Sequence, residues 1–284
     1  MTSTNTTGAE QPQLFMFAGP NGSGKSTITT PMLADLPGEY INADDIARAW
    51  RDEIPDPLER NRQAARLADR QRQLALREGR SLVFETVMST PEKVALLTQA
   101  KALGYQTTLI FVTTSDAAFN VRRVQQRVIL GGHDVEPDTI RRRYEGAMTL
   151  LAAAVEHADQ AVVIDNSGTE PQRVAQKFDE QLELLAPIPA WVTQRLDQPW
   201  AARQASRRTL QELAGTPRLP TADAREGQQY SGVLVGRTAW HLLQRTAQGL
   251  VLHDLSLCLV PPVEEGEPLT LRYHYERGKL SRTP

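Results

Sequence analysis

The chain has 284 residues, 40% of them hydrophobic and 23% charged, with a formal net charge of −2. That length accommodates two domains or one large and one small at about 150 residues each, and the apolar content excludes wholesale disorder. No stretch approaches the ~18–20 apolar residues of a membrane span. Residues 1–13 lack the basic start and apolar core of a signal peptide, and the single cysteine, Cys258, forms no intrachain disulfide and anchors no Cys-based zinc site. A cytoplasmic protein with a disordered leader over 1–13 is expected.

In chain order, the apolar run 14–18 predicts a buried strand, a Gly-rich turn follows at once, and 25–36 predicts a helix. A brief strand at 39–42 leads into Ala43-Asp44-Asp45 and a long helical stretch, broken at Pro55 and Pro57, that resumes over 58–78 and ends at Gly79. Strands at 81–85, 107–113 and 161–165 alternate with helices at 91–103, 116–130, 138–157 and 171–185. Strands separated by helices of this length predict an α/β domain over 14–185, with a parallel sheet flanked by helices. The three prolines within 186–199 read as a linker, followed by a helix at 201–214, so that 186–225 is linker and helix. The period then changes, and short strands at 231–235, 239–244, 250–252 and 269–275 predict a small β-rich C-terminal domain over 226–284.

Charge is uneven within these parts. Of 32 basic residues only five are Lys and 27 are Arg, which fits either base composition or a use of some Arg on phosphate. Residues 200–284 carry 11 Lys/Arg against 8 Asp/Glu, a balance of +3, so residues 1–199 carry −5.

Gly19-Pro20-Asn21-Gly22-Ser23-Gly24-Lys25-Ser26 fits G-x-x-x-x-G-K-S/T, the P-loop pattern, and lies between a strand and a helix as its mechanism demands. Backbone N–H groups of the loop, with Thr27 in the helix's first turn, would surround a β-phosphate at the positive end of the helix. Lys25 would reach the β- and γ-phosphates of ATP, and the Ser26 hydroxyl would join a Mg²⁺ shell. The fold class is therefore a P-loop NTPase sheet plus the β-rich C-terminal domain. The base-reading N-K-x-D of GTPases is absent, and neither acid-ended strand, at Glu85 or Asp165, continues into a second acid as in motor ATPases. Asp44 and Asp45 fall at the carboxyl edge of the sheet, where ligands of such sheets bind. A carboxylate there accepts the proton of an attacking hydroxyl, which favours a kinase over a hydrolase.

GPNGSGKST, YINADDIAR, VFETVMS, RVILGGHDVEPDTIRRRY and VVIDNS, in this order and spacing, resemble the zeta-toxin family of kinases over residues 14–185, and more closely its broad bacterial branch known only as ATPases. The resemblance implies ATP- and Mg²⁺-dependent phosphorylation of a hydroxyl on a small molecule. In the best-known members the acceptor is UDP-N-acetylglucosamine, and an antitoxin protein restrains the toxin. It implies Asp44 as general base, with Asp45 as competitor, and Arg48 one helical turn on in the same cleft. It implies Glu85 and Thr86 near acceptor or Mg²⁺. After Glu85 the chain reads Thr86-Val87-Met88-Ser89 where the sugar-nucleotide members read E-G-T-x-R, so phosphoryl transfer carries over more fully than that acceptor. Arg123 and Arg127, the Gly131-Gly132 turn and Arg141, Arg142 and Arg143 form an expected lid, with Arg127 and Arg142 as phosphate clamps. His133 contacts substrate or packs the turn. Asp165-Asn166-Ser167 borders the adenine, braces the P-loop or only starts a turn. His157, His241 and His253 show no ligand spacing and read as structural.

Tyr230-Ser231-Gly232, His241, Gln244, Gly249, His253 and Glu265-Gly266-Glu267 resemble KfrB-type domains, modules found in plasmid-encoded proteins. The +3 balance with Trp240 and Arg245 leaves nucleic-acid contact open, beside autoinhibition, partner binding or stabilisation. Two further functions stand beside the zeta-type kinase: a nucleoside, nucleotide or polynucleotide kinase, and a plasmid protein associated with nucleic acid and switched by ATP.

Overall fold

A computed structural model of the chain describes residues 11–130, 134–275 and 280. Residues 1–10 of the expected leader therefore lie outside the described residues, and its last residue opens the first strand, β1 (Gln13–Ala18). β1 sits between β3 (Leu82–Thr86) and β4 (Gln106–Thr113), with β2 (Glu39–Ile41) outside β3 and β5 (Gln160–Asp165) outside β4. All five run parallel. Alternation along these strands divides the core in two. Leu14, Met16, Phe84, Leu109 and Phe111 face one layer of helices, while Phe17, Val83, Ile110 and Val112 face the other, which Ile28, Leu33 and Leu36 cover.

The crossovers are α1 (Lys25–Met32), α2 (Ala43–Ala49), α3 (Pro57–Arg77), α4 (Pro91–Ala102), α5 (Ala117–Ile129) and α6 (Pro137–His157). Their starts follow local chemistry. Asn42, Asp56 and Asp116 accept backbone N–H bonds at the N-caps of α2, α3 and α5, and Pro57, Pro91 and Pro137 occupy first-turn positions where no N–H is needed. Among the described residues no helix is long and apolar enough to cross a membrane.

The sheet is mixed rather than wholly parallel. The helix expected over 171–185 is instead an antiparallel hairpin, β6 (Gln172–Phe178) and β7 (Gln181–Leu184), which extends the order to β2-β3-β1-β4-β5-β6-β7. Gln, Lys, Glu and Leu favour a helix in isolation, but the open edge of β5 and the burial of Val174, Ala175 and Lys177 decide the matter. Lys177 donates from Nζ to the carbonyl oxygens of Glu156 (3.3 Å) and Ala158 (2.5 Å) at the end of α6, which ties the strand to that helix. Asp179 takes the left-handed conformation in the two-residue turn.

The expected linker is structured too. α7 (Ala190–Val192) passes through a π-helical turn (Thr193–Asp197) into α8 (Gln198–Ala214), and Trp191, Val192, Leu196 and Trp200 are buried in the main core. Pro199 has no N–H for the helical ladder. The wide turn just before it absorbs that defect, with the Gln198 N–H bonded to the Thr193 carbonyl.

The C-terminal part is a four-stranded antiparallel sheet of β8 (Gln229–Arg237), β9 (His241–Thr246), β10 (Gly249–Asp254) and β11 (Pro268–Arg272), in the order β10-β9-β8-β11. Leu210 of α8 packs with Leu243 and Leu252 on one face, and Leu234, Leu242, Leu269 and Leu271 pack on the other. Ala222, Ala224, Leu257, Cys258, Tyr273 and Tyr275 join the main core of the first sheet. A buried ionic cluster lies at the same junction. Glu156 of α6 accepts from Arg203 Nε, Arg207 Nη1 (3.0 Å) and His241 Nε2 (3.0 Å), while Asp254 accepts from Arg203 Nη2 (2.5 Å) and His157 Nε2 (2.6 Å).

Candidate active site at the carboxyl edge of the parallel sheet

The loop between β1 and α1 wraps the end of the central strand. Gly22 (φ +77) and Gly24 (φ +92) hold left-handed backbone, and a Cβ at either would lie 2.6 Å from the Asn120 carbonyl oxygen or 2.2 Å from Asn166 Nδ2. Both neighbours brace the loop: Asn120 Nδ2 donates to the Asn21 carbonyl (2.7 Å) and Asn166 Nδ2 to the Ser23 carbonyl (2.8 Å). Of the three roles open for the Asp165-Asn166-Ser167 segment, the geometry displays two: Asn166 braces the P-loop, and Asp165 starts an Asx-type turn by accepting the Ser167 N–H. Asp165 is itself held by Trp191 Nε1 (2.7 Å) and by Ser167 N (2.8 Å).

Lys25 folds back along the loop, with Nζ donating to the carbonyls of Gly19 (2.8 Å) and Pro20 (3.0 Å). Desolvation lowers its pKa to about 8 against the pull of Glu85 and Asp44, and Arg127 and Arg143 push in the same direction as burial. A cluster of cations around a glycine loop at a helix N-terminus is suited to a polyanion.

Glu85, at the end of β3, reaches the first turn of α1, where Ser26 Oγ donates to its Oε2 (2.9 Å). Its Oε1 accepts from the Tyr40 hydroxyl (2.9 Å), and Glu85 and burial together raise the Tyr40 pKa, burial being the larger cause. Asn42 Nδ2 donates to the Tyr40 oxygen (2.7 Å), and Asn42 Oδ1 accepts the Asp44 N–H (2.9 Å). Ser26 and Glu85 supply two hard oxygens side by side. Among the described residues no group of three or more His, Cys, Asp or Glu is arranged to hold a metal ion. One carboxylate and one hydroxyl match the sparse protein donor set of Mg²⁺, which takes its remaining ligands from water and phosphate.

The two neighbouring aspartates differ. Asp45 is paired with Arg48 (2.9 Å) on the exposed face of α2, whereas Asp44, exposed in the first turn of the same helix, lies near enough to Lys25 and Arg143 to pull on both. Arg48 is 74% exposed at its side chain and stands with Asp45, not with the loop. Of the consecutive arginines on α6, Arg141 pairs with Asp138 (2.8 Å) and Arg142 donates to Thr139 (3.3 Å) at the surface, while Arg143 is half-buried and donates from Nη1 to Asn21 Oδ1 (3.1 Å). Burial lowers the Arg143 pKa, as does the neighbouring Arg142, with Asp44 opposing. Arg127, on α5, is exposed and acts electrostatically on Lys25. Thr86 continues β3, its carbonyl accepting the Gly19 N–H (3.2 Å) and its Oγ1 accepting the Met88 N–H (3.3 Å). Gly131, Gly132 and His133 lie outside the described residues.

Tyr40, Asn42 and Asn120 were not expected from the sequence, and Arg143 stood among the three lid arginines with Arg142 preferred. Asn42 carried a signal, an N-cap residue directly before a helix. Arg143 carried one as well, three residues after the buried Ile140 and four before the buried Ala147. Tyr40 and Asn120 carried none, because their partners lie 45 and 99 residues away.

With this geometry in view, residues 14–140 match the model of an AAA domain family, and residues 229–282 match that of the KfrB domain. An uncharacterized protein of Haemophilus influenzae (strain ATCC 51907 / DSM 11121 / KW20 / Rd) is 26% identical over 136 residues, which is 47% of this chain and 94% of that protein. Two crystal structures of AvrRxo1-ORF1 with AvrRxo1-ORF2 share the fold. The one with sulphate ions is 18% identical at a TM-score of 0.52, covering 62% of this chain and 62% of that one. The one with ATP is 17% identical at a TM-score of 0.52, covering 61% and 60%. This chain thus spans about three fifths of the length of those structures. The seven-stranded sheet and its helices carry a P-loop kinase-like fold, and a separate antiparallel sheet follows.

Proposed function

We propose that the chain is an ATP-dependent kinase that transfers the γ-phosphate to a hydroxyl of a small molecule, in the manner of the zeta-toxin family it resembles. The observation that carries this reading is the placement of Asp44 in the first turn of α2 at the carboxyl edge of the sheet, near enough to Lys25 and Arg143 to pull on both, while its neighbour Asp45 is taken up by Arg48. In the step, the acceptor oxygen bonds to the γ-phosphorus, the bond to the β-bridging oxygen breaks, ADP departs, and Asp44 takes the acceptor's proton. Lys25, Arg127 and Arg143 face the charge that develops on the transferring group, with Arg143 in the place the sequence gives to Arg142. Ser26 and Glu85 would hold Mg²⁺, which when bound neutralises charge on the β- and γ-oxygens.

ATP as donor is supported by the glycine cradle and by the ATP in the AvrRxo1-ORF1 structure. That protein's crystallisation with AvrRxo1-ORF2 supports a protein partner of the antitoxin kind here. The acceptor class follows from the resemblance alone, a nucleotide sugar of the UDP-N-acetyl type.

The test is incubation of the full chain with γ-labelled ATP and a panel of nucleotide sugars, nucleosides and oligonucleotides, with products read by mass spectrometry. Lys25→Ala loses ATP binding and transfer together. Asp44→Ala keeps ATP binding and loses about 10²- to 10⁴-fold in turnover; undiminished turnover would refute Asp44 as base. A labelled nucleoside or oligonucleotide in place of a sugar would reassign the acceptor and leave the transfer step standing.

A further inference from the structure

Hydrogen-bond direction along one chain of side chains is fixed from end to end. The backbone N–H of Asp44 can only donate, so the Asn42 atom it meets at 2.9 Å is the amide oxygen. The amide nitrogen of Asn42 therefore points at the Tyr40 oxygen, 2.7 Å away, and donates to it. With that lone pair engaged, the single phenolic proton goes to Glu85 Oε1, 2.9 Å away. Glu85 Oε2 is left for Ser26, at 2.9 Å. Sheet register makes this reach possible. Tyr40 pairs with Val83, so Glu85 lies two residues along the neighbouring strand on the same face, a diagonal that a tyrosine can span. The ring itself is packed against the cluster of Phe17, Val83 and Ile110, which leaves the hydroxyl little freedom to move.

We propose that Tyr40 is a positioning residue. Its hydroxyl fixes the rotamer of Glu85 on the metal side of the nucleotide and ties that carboxylate, through Asn42, to the first turn of the helix that carries Asp44. The proposal rests on the kinase reading for its metal. It makes the Ser26–Glu85 pair and the base helix one rigid unit, where a tyrosine that served packing alone would need no hydroxyl.

The test uses Mn²⁺ as probe and ADP affinity as the main readout, measured by calorimetry on the full-length protein with and without the metal. Tyr40→Phe retains the ring and removes the O–H. It is expected to bind ADP alone within two-fold of the wild type but to lose about 10- to 100-fold of the strengthening that Mn²⁺ confers. Turnover falls with little change in acceptor KM, and excess Mn²⁺ restores part of it. Asn42→Asp keeps an acceptor for the Asp44 N–H but offers no N–H to Tyr40, so the phenolic proton is drawn away from Glu85 and the same loss is expected. If Tyr40→Phe does not fold, Asn42→Asp decides alone. Mn²⁺ coupling within two-fold of wild type in the folded variants would overturn the proposal, even where their melting temperature drops. A wild type in which Mn²⁺ leaves ADP affinity unchanged would overturn it as well. A wild type that binds Mn²⁺ and ADP together yet phosphorylates no acceptor would sink the kinase reading instead, and the coupling measurement would still judge Tyr40.

Discussion

At the carboxyl edge of the parallel sheet, Lys25 is part-buried and Asp44 exposed, and Lys25 Nζ donates to the chain's own carbonyls rather than to a carboxylate. Beneath the C-terminal sheet, Glu156, Arg203 and Asp254 are only 1–2% exposed at their side chains, and each holds two or more charged or imidazole partners. Both regions draw on carboxylates and basic side chains, and the arrangements serve opposite ends. Charge that is left under-satisfied at a sheet edge is available to a ligand. Charge that is mutually satisfied inside a core holds two sheets in one relative placement, and removing any member leaves the others buried without compensation. Exposure and partner count, not residue identity, separate a site from a joint in this molecule.

The sharpest way to break that comparison is to delete charge from the joint. Glu156→Ala strands Arg203, Arg207 and His241, and is expected to cost about 3–5 kcal/mol of unfolding free energy, measured by urea denaturation, while ATP affinity in the folded fraction stays at the wild-type value. A loss of ATP affinity without a loss of stability would mean that the two regions are not separate in role. Next in size is a contrast within the site itself. Arg143→Ala is expected to lower turnover about 10²- to 10³-fold, the usual effect of removing one donor to developing charge, and Arg142→Ala to leave it within two-fold. Equal effects would show that helix phase does not select the clamp.

The smallest effect concerns acid. Burial lowers the His253 pKa to about 4 from the usual 6.5. Between those values the unfolded chain binds a proton that the folded chain refuses, so stability falls as pH falls, by about 1.4 kcal/mol per unit and about 3 kcal/mol by pH 4. His157, also lowered by burial against the pull of Asp254, works in the same direction. Burial alone would raise Glu156 and Asp254; their basic and imidazole partners outweigh it and hold both below the usual carboxylate range, so their stabilisation too is lost as the pH falls below 4.5 and 3.8. His253→Gln should flatten the slope of unfolding free energy between pH 7 and pH 4, and an unchanged slope would place the acid sensitivity elsewhere.

How much was legible follows from how local each feature is. The phosphate loop is eight consecutive residues whose chemistry is set by their own backbone, so it could be read directly, as could the alternation of strand and helix through residue 165. The ionic joint draws on residues 156, 203 and 254, and nothing near Arg203 in the chain distinguishes it from the many surface arginines. The hairpin at 172–184 was hidden for a related reason: its residues prefer a helix, and only the edge of β5 and the end of α6 overrule them. Among Arg141, Arg142 and Arg143 the choice turns on helix phase, which the buried Ile140, Tyr144 and Ala147 set.

The π-helical turn at Thr193–Asp197 carries a consequence for the reading frame of the whole C-terminal half. One extra residue in a helical turn rotates everything beyond it by about 100°. Upstream of the turn, Trp191 is aimed at Asp165 beneath the phosphate loop; downstream, Trp200, Arg203 and Leu210 are aimed at the core, at Glu156 and at the second sheet. In an unbroken α-helix Trp191 and Trp200, nine positions apart, would point in opposite directions. Excising a single residue such as Gln194 would straighten the rod and leave Arg203 on Glu156, whereas adding one residue without a second wide turn would swing Arg203 away by about 100°, so the second sheet is keyed to the first by a count of residues as much as by any contact.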